Sequence, residues 1–404
     1  MKAICYVKRL RLLRFRSLLG CDLAFSNPLF LVGKNGVGKS NLIDAFAFLS
    51  ECMTLPLRTV FENRGGIQAV RYRTGKARPG NFGMCLDFGF PNGATTEGWY
   101  AFEIRAKTGY GFEIVREQCV VGRGGDRRWF DRIEGKFMTN VAGLQPAVEP
   151  EALALPIVGG SKEFSPVLRG LLRLRVFSIQ PGAIRDLQEP DTGTTLKGDG
   201  SNLASVLQVL ARGSEDKTKR LCQLLATVVP GTNGVRTIKH GKKLSLEFTQ
   251  SWQAKGKAKD VHFEAFLMSD GTLRALGILT AFHQEKRPCL IAIEEPEATI
   301  HPEALSTILD LFRSFARETQ IVVTTHSPEL LDAKWIEPDN IRLVTWAQGV
   351  TAVCPLGASS VKALKDHLTG AGELLRANAL REGAVSLFQE ENLSQLRLFE
   401  DVQT

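Results

Sequence analysis

The stretch "LFLVGKNGVGKSNLIDAFAFL" (residues 29–49) decides the fold of this chain. An apolar segment leads into a loop that matches G-x-x-x-x-G-K-[ST]. A helical pattern follows, with apolar residues at three- and four-residue spacing: Leu42, Ile43, Phe46 and Leu49. The stretch therefore predicts a buried strand, a glycine-rich loop and a helix with one apolar face. A loop of this kind binds phosphate, because its N–H groups and the helix dipole both favour anions.

The residues of this loop have distinct predicted tasks. Its glycines let the backbone curl so that N–H groups point at phosphates. Lys39 would reach the β- and γ-phosphates of ATP, and Ser40 would supply an oxygen to Mg²⁺. The sequence therefore predicts that ATP is bound by Gly33, Lys34, Asn35, Gly36, Val37, Gly38, Lys39, Ser40 and Asn41.

A pair of acids follows a second apolar segment, in "CLIAIEE" (289–295). The segment is typical of a strand buried on both faces, and its acids fall at the carboxyl end, where open α/β sheets hold ligands. Mg²⁺ needs negative charge nearby, and hydrolysis needs a base for the attacking water. We assign Glu294 to the Mg²⁺ shell and Glu295 to activation of the water. The alternative is a strand that runs into a helix whose acidic first turn suits the helix dipole.

Two further segments are candidates for the same site. In "LMSDGTLRALGILTAF" (267–282), Ser269 is placed to cap a helix, and such a helix start presents a hydroxyl and free N–H groups to an anion. In "TQIVVTTHSPELL" (319–331), a third apolar strand ends near His326. The alternatives are a helix cap without further function for Ser269 and a hydrogen-bonded loop residue for His326.

Together these motifs resemble the ABC-type ATPase head, specifically the soluble branch that includes RecF, the OLD-family ATPases and the structural-maintenance-of-chromosomes (SMC) proteins. "SDGTLR" resembles the signature loop, "IEEPE" the acidic strand end, His326 the switch histidine, and "RLLRFRSL" (11–18) part of the first strands. The run "EEPEATIHP", with His301 and Pro302 after the acids, is most similar to the OLD type. The resemblance implies that ATP is sandwiched between two heads. Ser269 and Gly271 of one protomer would complete the site on the loop of the other, which implies a homodimer formed through ATP.

Two positions need separate comparison with the ABC-type pattern. The class more often has aspartate where this chain has Glu294, so both a direct and a water-bridged contact with Mg²⁺ stay open. The class also has a glutamine at a strand end that bridges Mg²⁺ and the attacking water. We prefer Gln180, at the end of the apolar strand in "LRVFSIQPGAI" (174–184), to Gln68 in "RGGIQAVRYR" (64–73), which we place in a loop.

The expected fold is an α/β P-loop NTPase of the ABC-head type, with a mixed central sheet, an antiparallel β subdomain and a short helical/β insert. Alternating residues over 82–121 predict the antiparallel sheet, and the Gly, Pro and charge content of 122–165 predicts a loop-rich excursion. The expected organisation has four regions: an ATPase lobe with the P-loop and antiparallel subdomain (1–180), an inserted helical/β arm (181–260), a second ATPase lobe (261–357) and a C-terminal helical tail (358–404).

Composition limits the class of protein. The 404 residues are 44% hydrophobic and 23% charged, as in ordinary globular proteins. No apolar run approaches the roughly 20 residues that span a bilayer, and basic residues interrupt the N-terminus, so we expect a cytoplasmic protein without a membrane partner. The eight cysteines form no C-x-x-C pair, and most are expected to be small core residues.

The formal charge of +8 permits DNA as a partner. Two basic clusters would supply phosphate contacts, and solvated loops and hairpin tips are the alternative interpretation. The clusters are Arg71, Arg73, Lys76 and Arg78 around Tyr72, and Lys239, Lys242, Lys243, Lys255, Lys257 and Lys259.

The preferred function is an ATP-driven dimerisation switch that is reset by hydrolysis through Glu295, Gln180 and His326. The resemblance suggests antiphage defence or DNA repair. Fewer than about 80 residues follow His326, too few for a nuclease domain of ordinary size, so we expect a separate nuclease or toxin effector. The alternatives are the nucleotide-binding subunit of a transporter and a scaffold that holds ATP with little turnover.

Overall fold

The computed structural model describes residues 6–73, 80–90, 96–108, 111–122, 124–254, 257–383 and 388–402. The strands of these residues, in chain order, are β1 (Tyr6–Phe15), β2 (Leu18–Ala24), β3 (Leu29–Val32), β4 (Phe82–Phe90), β5 (Thr96–Ala106), β6 (Phe112–Val121), β7 (Arg128–Ile133), β8 (Lys136–Thr139), β9 (Leu174–Phe177), β10 (Thr232–His240), β11 (Lys243–Ala254), β12 (Lys257–Glu264), β13 (Leu290–Glu294), β14 (Gln320–Thr325), β15 (Ile341–Ala347) and β16 (Val350–Pro355).

The α-helices of the same residues are α1 (Lys39–Cys52), α2 (Leu57–Glu62), α3 (Ile67–Val70), α4 (Leu155–Val158), α5 (Ser165–Leu171), α6 (Pro181–Arg185), α7 (Leu203–Gly213), α8 (Glu215–Val228), α9 (Asp270–His283), α10 (Pro302–Phe315), α11 (Pro328–Leu331), α12 (Ala358–Lys365) and α13 (Ala371–Arg376). Within the described chain, no helix is both long enough and apolar enough to cross a bilayer.

The chain folds into two compact units. The first consists of Met1–Leu174, Pro338–Lys362 and Arg381–Thr404, and the second of Arg175–Glu337 and Ala363–Leu380. The insert expected at 181–260 therefore lies in the same unit as Glu294, Glu295 and His326. The four regions expected from the sequence stay a prediction.

An antiparallel sheet in the order β2-β1-β4-β5-β6-β7-β8 dominates the first unit. Its central pairs, β4 with β5 and β5 with β6, confirm the antiparallel sheet predicted over 82–121. The first strands predicted around residues 11–18 are also confirmed, because β1 and β2 form a hairpin in which Leu12 lies opposite Cys21.

The prediction of a loop-rich excursion over 122–165 is wrong for the first part of the segment. Strands β7 and β8 continue the sheet, with Cys119 opposite Phe130. Phe130 is fully buried, stacks on Phe137 at 5.3 Å and meets the edge of Phe164 at 5.1 Å. Three aromatic residues thus form an apolar contact that the Gly, Pro and charge content of the segment concealed.

The P-loop strand and helix agree with the sequence prediction. In the first unit, β3 pairs in parallel with β15, with Leu31 opposite Arg342, and β15 pairs antiparallel with β16. The sheet there is therefore mixed. The four apolar residues predicted to form one face of α1 are each at most 1% exposed, which fixes the helix against the core: Leu42, Ile43, Phe46 and Leu49.

In the second unit, β13 and β14 pair in parallel, with Ile291 opposite Ile321, and both strands are buried. Parallel pairing brings their carboxyl ends to one edge. The insert consists of α7, α8 and an antiparallel sheet of β10, β11 and β12. Helices α7 and α8 are 11 and 14 residues long, which confirms that any arm here is short.

Two smaller predictions have different outcomes. The cysteines predicted to be core residues are buried, apart from a half-buried Cys222, and Cys5 lies outside the described residues. Gln68, placed in a loop, lies in α3, where its Oε1 accepts a hydrogen bond from Arg71 at 3.3 Å.

The basic clusters differ from the prediction at one residue. Arg71 is only 7% exposed and donates to the Gly80 carbonyl at 2.8 Å, so it is not a mobile surface cation. The exposed basic residues of the clusters are Arg73, Lys239, Lys242, Lys243 and Lys259, while Lys76, Arg78 and Lys255 fall outside the described residues.

Candidate functional site

Two glycines allow the P-loop to pack closely in the first unit. Gly38 has a φ of +103°, and a Cβ atom there would lie 2.2 Å from Thr351 Oγ1. A Cβ atom on Gly33 would lie 2.2 Å from the carbonyl oxygen of Val344. Any other residue at either position would collide with β15 or β16, so the loop conformation depends on glycine.

The N-terminus of α1 fits an anion. Its first turn has no acidic residue, and no side chain caps it. Lys39 is 5% exposed, and its Nζ donates to the carbonyl oxygens of Gly33 at 2.8 Å and Lys34 at 3.0 Å. The ammonium group therefore lies against the loop, while the helix dipole adds positive potential at the same place. Ser40 is exposed in this turn, as are Lys34, Asn35 and Gly36 in the loop.

Hydrogen bonds that the sequence did not predict hold the loop from outside. Thr351 Oγ1 donates to the carbonyl oxygen of Val37 at 2.8 Å and lies 2.7 Å from Ser17 Oγ. Asn41 Nδ2 donates to Ser17 Oγ at 2.7 Å. The side chain of Asn41, predicted to bind the nucleotide, thus has a structural bond. Nothing in the sequence pattern marks Thr351, which lies 314 residues beyond Val37.

In the second unit, the structure brings Glu295 and His326 together. Glu295 follows β13, His326 follows β14, and Glu295 Oε1 lies 3.2 Å from His326 Nδ1. Glu295 has a φ of +40°, and its N–H donates to the carbonyl oxygen of Thr324 at 3.1 Å. Non-glycine residues rarely adopt positive φ, and such positions are concentrated at functional sites.

Glu297 is a further residue of this site that sequence reasoning missed. Its side chain is 8% exposed, and its Oε1 accepts hydrogen bonds from the Thr325 hydroxyl at 2.6 Å and the His326 N–H at 3.3 Å. Its Oε2 is buried without a hydrogen-bond partner among the described residues. Burying a carboxylate costs free energy unless it is hydrogen-bonded. The two hydrogen bonds to Glu297 offset part of this cost and fix the end of β14. The third acid of "EEPE" was the available signal.

The predicted signature loop packs against the acidic turn, residues 295–299, which follows β13. Ser269 caps α9 by accepting a hydrogen bond from the Thr272 N–H at 3.2 Å, and its side chain is exposed. A Cβ atom on Gly271 would lie 2.5 Å from the carbonyl oxygen of Thr299, which has a φ of +66°. The cap is therefore confirmed, and Gly271 has a structural reason of its own, whereas contacts of either residue with a nucleotide remain predictions.

Arg274 adds positive charge to the acidic turn. Its Nη1 lies 3.5 Å from the carbonyl oxygen of Glu295, at the outer limit of a hydrogen bond. Burial lowers the pKa of Arg274, while the charges of Asp270, Glu297 and Glu295 oppose that effect. The guanidinium therefore offsets part of the negative charge of the acidic turn.

Gln180 and Glu294 lie where sheet strands end. Strand β9 ends at Phe177, and Gln180 follows three residues later, exposed, at the start of α6. Its N–H donates to the carbonyl oxygen of Asp199 at 2.9 Å. Glu294 is the half-buried last residue of β13, opposite Thr324. Their predicted roles at Mg²⁺ and water stay predictions.

His301 has a local role. It is the N-cap of α10, and its Nδ1 accepts a hydrogen bond from the Glu303 N–H at 3.4 Å, with Pro302 as the first helical residue. Proline at this position suits a helix start. The His-Pro pair that suggested the OLD type therefore has a structural explanation.

Comparisons with known proteins agree with this architecture. The family model "AAA domain, putative AbiEii toxin, Type IV TA system" matches residues 29–80 and 202–332, which include the P-loop, the predicted signature loop, the acidic strand end and His326. A sequence search of curated proteins gave no significant match.

Among solved structures, an SMC head bound to the C-terminal winged-helix domain of ScpA is similar. It has a TM-score of 0.55 and 17% identity, over 89% of this chain and 99% of that chain. An SMC head with an extended coiled coil, bound to the C-terminal domain of ScpA from Pyrococcus furiosus, has a TM-score of 0.54 and 14% identity, over 90% and 99% of the two chains. These matches confirm the predicted P-loop head fold.

Proposed function

We propose that this chain, an AAA/ABC-type ATPase of the SMC- and RecF-like class, acts as an ATP-gated dimerisation switch. The observation that carries the proposal is the P-loop itself. Its glycines allow close packing, its lysine ammonium lies against the loop carbonyls, and the helix behind it has no acidic or capping side chain in its first turn. Such a loop is built for the phosphates of a nucleotide.

The P-loop residues have separate roles in binding. The N–H groups of Gly36 to Ser40 would bind phosphate oxygens, and Lys39 would exchange its loop carbonyl partners for the β- and γ-phosphates. Ser40 and Glu294 would hold Mg²⁺, directly or through water. Bound there, Mg²⁺ would neutralise charge on the phosphates.

The hydrolytic roles are assigned to the second unit. Glu295 would accept a proton from the attacking water, as carboxylates do in general base catalysis. His326, 3.2 Å from Oε1 of Glu295, would hold that carboxylate in one orientation and contact the transferred phosphoryl group. Gln180, exposed after β9, would orient the water.

Dimerisation is proposed from the start of α9. Ser269 is exposed there, beside the free N–H groups of a 14-residue helix. These groups suit the γ-phosphate of ATP bound to a second copy of the chain, because helix N-termini favour anions. Two copies would close on two ATP molecules, and hydrolysis would separate them.

The biological setting is proposed more broadly. We favour antiphage defence or DNA repair with a separate nuclease or toxin effector, supported by the words "toxin" and "Type IV TA system" in the description of the matching family. DNA is proposed as a further partner, supported by the exposed Lys239, Lys242, Lys243 and Lys259. We place this activity in the cytoplasm.

Binding and turnover of ATP test the core of the proposal. Wild type should bind and hydrolyse ATP, and Lys39→Ala should lose both. The matched control is Lys136→Ala, because Lys136 is an exposed lysine of β8 in the same unit and lies outside the P-loop. No binding by wild type would refute the proposal. Binding without turnover would favour the ATP-holding scaffold.

A further inference from the structure

An exposed tryptophan lies beside the P-loop in the first unit. Trp346 is 50% exposed near the end of β15, the strand that pairs in parallel with β3. The carbonyl oxygen of Val344, two residues earlier on β15, is the atom that a Cβ on Gly33 would touch. At about 3.4 Å per strand residue, Trp346 lies about 7 Å further along β15 from this point.

The pairing of β15 with β16 shows which face of this hairpin carries Trp346. Trp346 lies directly opposite Thr351. Side chains of directly opposite residues in an antiparallel pair lie on the same face. The Thr351 hydroxyl on that face donates to the carbonyl oxygen of Val37, in the P-loop. Trp346 is therefore on the face of the hairpin that meets the P-loop.

The neighbouring residue of β16 identifies the other face. Val350 packs against a separate core cluster of Leu19, Tyr72 and Leu393. Side chains alternate along a strand, so this cluster lies on the face opposite to Thr351 and Trp346. Trp346 is therefore not part of that core cluster, and its side chain is exposed on the face that meets the P-loop. It is a large aromatic residue left in solvent next to a phosphate-binding loop.

We propose that Trp346 stacks on the purine base of the nucleotide whose phosphates the P-loop holds. This inference rests on the proposed function, because it needs a nucleotide in that loop. A half-exposed indole offers a flat apolar face. A base that stacks on it buries one face of the indole and one face of the base. Stacking on aromatic side chains tolerates different bases, since every base has a π-face. Trp346 would therefore raise the affinity for ATP and GTP alike.

The test separates the base from the phosphates. Dissociation constants for ATP, GTP and inorganic tripolyphosphate, each with Mg²⁺, are measured by calorimetry for wild type, Trp346→Phe and Trp346→Ala. The matched control is Trp252→Ala, because Trp252 is 46% exposed and lies on β11 of the second unit. Trp346→Ala should raise the dissociation constants for ATP and GTP about ten- to a hundredfold, as expected for loss of one stacking contact. It should leave the dissociation constant for tripolyphosphate unchanged. Trp346→Phe should keep part of the affinity for ATP and GTP.

Three results would overturn the inference. Equal ATP affinity in wild type and Trp346→Ala would remove the stacking contact while leaving the P-loop function intact. An equal loss of affinity for ATP and tripolyphosphate would mean that the substitution acts through the shape of the loop. A wild type that binds neither ligand would refute the proposed function together with the inference, and this result is distinct from the other two.

Discussion

His326 Nδ1 lies 3.2 Å from Glu295 Oε1, so the residues that follow two parallel strands share one hydrogen bond. A carboxylate accepts hydrogen bonds, which places the proton on Nδ1 and fixes the orientation of both side chains. A base that must meet a water molecule in one geometry gains from such support.

The Glu295→Gln variant should bind ATP and fail to hydrolyse it. The amide keeps the shape of the side chain and removes its capacity to accept a proton, so the turnover rate should fall by about a hundred- to ten-thousandfold. Single-turnover phosphate release measures the rate, and nucleotide binding serves as the control. Equal rates in variant and wild type would remove Glu295 from the chemistry.

Glu297 should act as a positioning residue for His326. In Glu297→Ala, the Thr325 hydroxyl and the His326 N–H lose their shared acceptor, and kcat should fall at least about tenfold with little change in KM. Glu297→Gln should recover most of the rate, because its amide oxygen still accepts both bonds. Equal loss in both variants, or loss that follows a lower melting temperature, would contradict the positioning role.

The Thr351 hydroxyl should stabilise the P-loop from outside. Thr351→Val keeps the size of the side chain and removes the hydrogen bonds to Val37 and Ser17. The loop conformation should lose about 1 kcal/mol of stabilising free energy. The affinity for ATP should fall about fivefold, measured by calorimetry. The control is Thr345→Val, since Thr345 alternates with Trp346 on β15 and lies on the opposite face. An equal effect of both substitutions would contradict the account.

Stability should fall below neutral pH partly through His283. Burial lowers the pKa of His283 from its ordinary 6.5, and its Nδ1 donates to the Leu279 carbonyl at 2.8 Å. The unfolded chain therefore takes up a proton near pH 6.5 that the folded state resists, so this group reduces stability as the pH falls through 6.5. Melting temperatures from pH 8 to pH 5 should fall more steeply for wild type than for His283→Gln. Parallel curves would show that the imidazole does not titrate in this way.

Local patterns made much of the fold predictable from sequence. The P-loop strand and helix, the cap at Ser269 and the strands before Glu295 and His326 each depend on a few consecutive residues. Acids and a histidine at the ends of buried parallel strands are brought to one edge by the pairing itself, which is why Glu295 and His326 meet as expected.

Contacts between distant parts of the chain were the ones missed. Thr351 touches Val37 across 314 residues, and no local period marks it. Phe130, Phe137 and Phe164 form one contact although glycines and charges separate them in sequence. Glu297 was overlooked because a third acid after two acids with assigned roles resembles an exposed turn, whereas its side chain is buried.

The central claim, an ATP-gated dimer, is tested most directly by the mass in solution of Glu295→Gln with and without ATP and Mg²⁺, by light scattering after size-exclusion chromatography. The account predicts a monomer without nucleotide and a dimer with it, and loss of the dimer when Ser269→Arg is added. A mass that stays monomeric with ATP bound would contradict the claim, as would a dimer that forms equally well without nucleotide.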